Sequence, residues 1–386
     1  MINVFQPTVG TAELDALAEV FASSWLGHGP RTAAFETEFA AHIGAEPAHM
    51  TFLNSGTAGL FLAIELLGLG PGDDVVLPSV SFVAAANAIA ASGARTVFCD
   101  VDRRTLNPSC DDVARAVTER TRAVVILHYG GYPGDIAAIA DFCRQRGLIL
   151  VEDAACAVAS TVGGRACGTF GDMAMWSFDA MKVMATGDGG MLWVRDPELA
   201  ARARRLSYHG LAQDSGLRSA ARVPHRWWEL KVRDFGRRVV GNDVTAAIGS
   251  VQLRRLPDLL QRRAEIVRLY DQLLAGATGV LPPPPLPDGH STSYYFYWVQ
   301  LDATVRDAVA ADLLDMGIYT TFRYPPLHKV PAYGAQVVLP ATERAAEETL
   351  LLPLHAGLTD DEVRTVADEL RAAVRRHGDG HREEQR

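Results

Sequence analysis

Between residues 48 and 195 the chain repeatedly trades a short, almost wholly apolar run for a stretch of helical periodicity, and no other feature restricts its possible folds as much. The apolar runs are "MTFL", "DVVLP", "TVFCDV", "AVVILHY", "LILVEDA", "MAMWSF" and "GMLWV". Each is rich in Val, Ile or aromatic residues and bounded by Gly, Pro, Asp or Asn, as strands are. Between several of them lie "AGLFLAIELLG" and "GDIAAIADFCRQRG", helix-period segments closed by a glycine suited to a helix C-terminus. Strands apolar on both faces, alternating with helices, imply a largely parallel sheet covered on both sides. The last two runs are joined by a loop with no room for a crossover helix, and that loop carries Lys182.

After residue 240 the pattern changes. "VTAAIGSVQLRRLPDLLQRRAEIVRLYDQLLAG" reads as one long helical stretch, bent or broken near Pro257. "LPPPPLPDG" follows as a stiff polyproline connector. Then come a strand "YYFYWVQL", a helix "VRDAVAADLLDMG" and a second strand "IYTTF". The last helix starts at Thr359, where T-D-D-E makes a capping box ahead of Val363, Val366, Leu370 and Val374 on one face. The tail "RRHGDGHREEQR" reads as polar and frayed. A chain of 386 residues is long enough for two domains. The expected division is a large α/β domain over 1–259, with an N-terminal helical segment, and a smaller C-terminal α+β domain over 260–386.

Composition narrows the function classes. A net charge of −9 argues against a general nucleic-acid surface, and the Arg-Arg pairs sit among acidic or apolar neighbours. With 48% hydrophobic and 22% charged residues the chain is too mixed for disorder. The start "MINVFQPTVGTAELDAL" lacks a basic region followed by an apolar core, and no apolar run reaches the length of a membrane span. The five cysteines show no C-x-x-C spacing, so no metal site and reduced thiols are expected. A cytoplasmic location follows as the expectation.

Four features gather around the loop after "MAMWSF". "NSGTAGL", Asn54 to Leu60, follows a strand and opens a helix. There Gly56 permits close backbone approach, and Thr57 offers a hydroxyl and an amide at the positive helix end, a ready phosphate site. "LILVEDAAC" ends a strand in Glu152-Asp153, where open α/β sheets bind ligands, although a helix cap is the competing reading. Lys182 lies 29 residues after Asp153, with Ser177 five residues before it and Gly187, Gly189 and Gly190 behind it; an isolated lysine there could equally be a surface residue at a turn. Phe82, in "PSVSFVAAANA", sits past a strand end, either as core or as a ring that stacks on a planar ligand. A phosphate cradle, an acid for a pyridine nitrogen, a flat stacking surface and a reactive lysine are the parts pyridoxal phosphate needs.

With these motifs in their order, the chain resembles the DegT/DnrJ/EryC1/StrS aminotransferases, the sugar-aminotransferase branch of the fold-type I pyridoxal-phosphate enzymes. The resemblance runs from "SSWLGHGPRTAAFETEFA" through "NSGTAGLFLAI", "GPGDDVVLPSVSFVAAANAI", "HYGGYPGDI", "VEDAACA" and "SFDAMKVMATGDGGM" to "NDVTAAIGSVQLRRL", "RYPPLHKV" and "LPLHAGLTDDEV". It implies the fold-type I architecture, with a mainly parallel seven-stranded sheet in the large domain. It implies that Lys182 bonds the cofactor covalently, that Asp153 pairs with its pyridine nitrogen, that Thr57, Ala58 and Ser177 hold its phosphate, and that Phe82 stacks on its ring. Two positions depart from the family pattern. Cys156 stands where Gln or His commonly bonds the ring hydroxyl. Arg238, in "RRVVGND", aligns where an Asn commonly reaches the neighbouring subunit's phosphate.

The implied activity is amino transfer from L-glutamate to a nucleotide-linked ketosugar by ping-pong kinetics, the cofactor alternating between pyridoxal and pyridoxamine phosphate. Lys182 moves the proton as general base and acid, and a homodimer with shared active sites is implied. The family's deoxygenases replace the lysine with histidine, and some add a cysteine-bound cluster; Lys182 and the lack of C-x-C spacing count against them. A non-catalytic regulatory member of the fold is a further alternative. A nicotinamide dehydrogenase would need a G-x-G-x-x-G that the chain lacks after its first strand. Family frequency favours a dTDP-linked 4-keto-6-deoxy sugar, and the Ala, Arg and Gly content suits an antibiotic-sugar pathway in a GC-rich genome. No residue fixes the carbon position, the stereochemistry or the base.

Overall fold

The computed structural model describes residues 1–212, 226 and 228–384. A seven-stranded sheet lies at its centre. Its strands are β1 (Met50–Leu53), β2 (Asp74–Pro78), β3 (Arg95–Cys99), β4 (Thr121–Leu127), β5 (Ile149–Asp153), β8 (Met173–Ser177) and β9 (Gly190–Val194), in the spatial order β1-β9-β8-β5-β4-β2-β3. All seven sequence-predicted runs are therefore strands of one sheet. β9 pairs antiparallel with both β8 and β1, and the other pairings are parallel. β9 alone thus runs against the other six, whose carboxyl ends share one edge. The short strands β6 (Thr161–Val162), β7 (Arg165–Ala166) and β10 (His290–Ser291) form a separate three-stranded sheet, and β11 (Tyr297–Gln300) pairs with β12 (Thr349–Leu352).

Helices cover the sheet and build the C-terminal part: α1 (Thr11–Ala22), α2 (Pro30–Ile43), α3 (Gly56–Leu66), α4 (Val83–Ala91), α5 (Cys110–Ala116), α6 (Ile136–Arg146), α7 (Pro197–Ser207), α8 (Asp243–Leu274), α9 (Arg306–Asp315), α10 (Pro340–Glu348) and α11 (Asp360–Glu384). Their ends follow local chemistry. Ser55 caps α3 by accepting the Ala58 N–H at 3.1 Å. Gly147 closes α6 at φ 66°, a conformation costly for any residue with a Cβ. At α11 the Thr359 N–H donates to Glu362 at 2.8 Å and the Glu362 N–H returns to the Thr359 hydroxyl at 3.2 Å, the capping box expected from T-D-D-E.

Three expectations are corrected in whole or in part. α8 is the long helical stretch expected, but it runs through Pro257 without a break, over 32 residues. The proline removes one hydrogen bond to the preceding turn, but Leu256 and Leu259 are buried on either side of it and hold the helix together by packing. "IYTTF" is not a strand: Ile318 bridges Ile2 and Thr321 bridges Leu351, as isolated pairs. The partner of β11 is instead "TLLL", Thr349–Leu352, whose four residues are all buried. The tail continues α11 as far as Glu384, because Arg376 and His377 both bind Asp312 on α9, the histidine at 3.0 Å.

The first half of α8 packs on α1 and α2, and its second half on α11. Ala246 and Leu256 belong to the core beneath the large sheet, while Ile266, Tyr270 and Leu274 belong to the core shared with β11, β12 and α11. The helix therefore spans both cores and crosses residue 259. Among the described residues no helix is long and apolar enough to cross a membrane.

Candidate active site

The shared carboxyl edge of the six co-directional strands brings the candidate residues together. Asp153 is the last residue of β5 and lies opposite Met175 on β8, two positions before Ser177. Gly56 opens α3 directly beneath β8: a Cβ there would lie 2.9 Å from the Ser177 Cβ and 2.7 Å from the Met175 sulfur, so only glycine admits this approach. Gly190 is constrained from the other side, where a Cβ would lie 2.5 Å from the Gly56 nitrogen. Gly56 and Thr57 contribute first-turn N–H groups that have no helical acceptor, and Thr57 is exposed while Ala58 is already capped by Ser55.

Lys182 is half-buried. Its Nζ lies 4.0 Å from the Cys156 sulfur and 4.6 Å from the centre of the Tyr295 ring. Burial disfavours its ammonium, but Cys156, Tyr295 and Asp153 outweigh that and hold it protonated to higher pH than usual. Burial pushes the Cys156 thiol up to about 11, so at neutral pH it is an uncharged, weak hydrogen-bonding group. Burial also raises the Asp153 carboxyl, against the Ala155 N–H, the Lys182 ammonium and the His128 ring, which pull it back. Asp153 accepts the Ala155 N–H at 3.1 Å.

Phe82 keeps 44% of its surface exposed and meets the Tyr324 ring at 5.4 Å between centroids. Arg238 is exposed, lies 5.2 Å over the Tyr208 ring and is bridged to Tyr208 through the backbone. It stands on the segment whose Val239 carbonyl accepts the Asn54 N–H at 2.8 Å, beside the approach to α3. Of the loop "RWWELKVRDFG", Trp227 lies outside the described residues, and Trp228, Leu230, Val232 and Phe235 are exposed, Phe235 to 98%.

Several residues around Lys182 escaped the sequence reading. Tyr295 lies in "YYFYWVQL", which carried only a strand signal, and Tyr324 and Arg323 lie in "RYPPLHKV", quoted only as a family motif. Arg323 lies 4.8 Å over the Phe5 ring, its Nη2 is 3.4 Å from the Met181 sulfur, and it has no carboxylate partner among the described residues. Glu152 turns away from Asp153 into the core. There it accepts from His128 Nε2 at 2.9 Å, the Gly168 N–H at 2.7 Å and the Gly171 N–H at 2.6 Å. It is a structural carboxylate.

The residues present fit pyridoxal phosphate. Among the described residues the buried Ser81 hydroxyl has no hydrogen-bond partner, the exposed Phe82 ring offers a stacking face, and the α3 N-terminus with Ser177 forms a glycine-lined cradle. A separate cleft of about 660 Å³, lined by His42, His49, Arg165 and Arg195 among others, includes none of these groups.

A half-buried lysine and a buried aspartate near the carboxyl edge of such a sheet are the arrangement expected of an aminotransferase. The chain belongs to the DegT/DnrJ/EryC1/StrS aminotransferase family, whose model matches residues 7–371. It is 65% identical over 377 residues, 98% of each chain, to the dTDP-4-dehydro-2,3,6-trideoxy-D-glucose 4-aminotransferase of Saccharopolyspora spinosa. It also resembles the crystal structure of the aminotransferase TlmJ from Streptoalloteichus hindustanus, with 61% identity and a TM-score of 0.94 over 98% of this chain and 100% of that one. The sugar aminotransferase CalS13 from Micromonospora echinospora is similar at 29% identity, with a TM-score of 0.86 over 96% of this chain and 100% of that one.

Proposed function

We propose that this enzyme uses pyridoxal phosphate to move the amino group of L-glutamate to C4 of a dTDP-linked 4-keto-6-deoxy sugar, with a 2,3,6-trideoxy hexose as first candidate. The observation that carries the reading is the joint placement of Lys182 and Asp153 at the sheet edge, in a chain 65% identical to a 4-aminotransferase of such a sugar. Pyridoxal phosphate, when bound, supplies an electron sink that lets a carbon-bound hydrogen leave as a proton. Lys182 Nζ would bond the cofactor and would carry the proton, as base and then as acid. Asp153 would hold positive charge on the pyridine nitrogen. Gly56, Thr57, Ala58 and Ser177 would hold the phosphate, Phe82 would offer its ring for stacking, and Cys156 would be a weak hydrogen-bonding partner beside it. Arg323, which has no carboxylate partner among the described residues, would receive the carboxylate of the amino donor.

The exposed aromatic loop and Arg238 support a homodimer in which Arg238 serves the neighbouring subunit's phosphate. We divide each subunit at residue 259 into the two units whose cores α8 joins. The test is a panel of nucleotide-linked 3- and 4-ketosugars with glutamate as donor. Formation of a 4-amino sugar together with 2-oxoglutarate supports the reading. Amination confined to a 3-ketosugar overturns the assigned position, and a glutamate-independent loss of hydroxyl overturns the reaction class.

A further inference from the structure

Three residues before Phe82, the buried Ser79 is tied to a segment 249 positions further along the chain. Its hydroxyl lies 2.6 Å from His328 Nδ1 and accepts the His328 backbone N–H at 3.1 Å, while its carbonyl accepts the Leu327 N–H at 2.9 Å. The Glu343 carboxylate oxygen, 3.2 Å from His328 Nε2, can only accept, so the proton between them sits on Nε2; in that neutral tautomer Nδ1 is the acceptor and the Ser79 hydroxyl donates to it. Glu343 is held in turn by Lys329 Nζ at 2.9 Å. The Ser-His-Glu order resembles a hydrolytic triad. With Ser79 and His328 both buried, however, the hydroxyl has no path to a substrate, and the set is a clamp.

The clamp grips both aromatic walls of the proposed site. Ser79 is joined to Phe82 through the buried Val80 and Ser81, and His328 to Tyr324 through Pro325, Pro326 and Leu327, where two prolines restrict the backbone. The Phe82 and Tyr324 rings stand 5.4 Å apart at its far end. We infer that His328 is a positioning residue: through Ser79 it fixes the Phe82 ring relative to Tyr324, and so sets the face on which a planar cofactor is stacked. This rests on the pyridoxal-phosphate reading above, which supplies the planar ligand.

The test compares Ser79→Ala, His328→Gln and His328→Asn. Asparagine reaches Ser79 but not Glu343, and glutamine has the opposite reach. Loss of the Ser79 contact should raise the dissociation constant of added pyridoxal phosphate roughly tenfold in Ser79→Ala and His328→Gln. It should also move the absorbance maximum of the bound cofactor and speed hydrogen exchange over residues 80–86 and 323–328 in the cofactor-free chain. His328→Asn should stay within about threefold of the wild type, a rescue that a merely structural role does not predict. Unchanged affinity and exchange in Ser79→Ala overturns the inference, as does a His328→Asn variant as defective as His328→Gln. Wild-type protein that takes up no pyridoxal phosphate defeats the proposed function instead, and the exchange measurement still decides whether the clamp exists. Ser79→Ala, which removes a single oxygen, decides the matter if a His328 variant fails to fold.

Discussion

The Lys182 amine lies 4.0 Å from the Cys156 sulfur, so the group proposed to bond the cofactor faces a thiol at the position where the family resemblance implies an amide or imidazole. A neutral thiol competes weakly for hydrogen bonds, and the amine is left to the Tyr295 ring and Asp153.

Lys182→Ala should therefore abolish turnover while leaving the melting temperature within a few degrees of the wild type, because the side chain is half-buried and its role is chemical. Mass spectrometry after borohydride treatment checks the assignment. A cofactor adduct retained on the variant would place the covalent bond elsewhere.

Asp153→Asn should keep the cofactor bound and slow the glutamate half-reaction by about 10²-fold or more, since a neutral amide cannot hold charge on the ring nitrogen. Single-turnover absorbance with glutamate measures this directly. A rate within a few-fold of wild type would mean that another group supplies the charge.

Arg323→Met should raise KM for glutamate by roughly 10- to 100-fold, the loss of a charged hydrogen bond, with little change in the half-reaction of the nucleotide sugar. Separate measurement of the two half-reactions makes the comparison. Equal losses in both halves would assign Arg323 to packing over Phe5 rather than to donor recognition.

Arg238→Ala should weaken cofactor affinity by roughly 1.5–3 kcal/mol if a charged hydrogen bond to phosphate is lost. Mixed with Lys182→Ala, it should give heterodimers with one doubly defective and one intact site. Recovered activity on mixing supports supply across the subunit boundary. Proven subunit exchange without recovery excludes it.

Asp74 gives a prediction for acid. The Arg95 guanidinium, bonded to it at 2.8 and 2.7 Å, lowers its carboxyl to about 2, with help from Thr118 and Arg120. A carboxyl depressed in the folded state contributes stability that is complete above its unfolded value near 4 and is lost as pH falls towards 2. With Arg95 more than half exposed, solvent screening leaves about 1–2 kcal/mol. Asp74→Asn should lower stability by that amount at pH 7 and by much less at pH 2.5, as urea denaturation at the two values would reveal. A penalty independent of pH would mean that packing, not charge, is what Asp74 contributes.

The seven strands were legible because a strand buried on both faces must be apolar throughout, and "DVVLP" or "AVVILHY" has no other economical reading. β12 was not, because "TLLL" is too short to show a period and "IYTTF" has the stronger β-branched and aromatic composition. At the site, Gly56, Asp153 and Ser177 stand at strand ends or a helix start and Lys182 in the loop between β8 and β9, where local sequence fixes their location. Tyr295, Arg323 and Tyr324 arrive from more than a hundred residues away, and only the folded chain brings them to Lys182. Glu152 and Asp153 part company for a simpler reason: neighbouring residues of a strand point to opposite faces.

The unbroken α8 rod governs how the two halves of the molecule can move. Its 32 residues span about 48 Å, and bending it at residue 259 would break backbone hydrogen bonds within a packed helix. The seam between the two cores is therefore a splint rather than a hinge. Any relative motion of the two cores must be borne by the thinner segments that also join them, among them the proline run after Val280 and the stretch from Ile318 to Leu339. The second of these carries Arg323, Tyr324 and His328, so a motion that admits the sugar nucleotide would shift the wall against Phe82 while Lys182 and Asp153 remain anchored to the sheet.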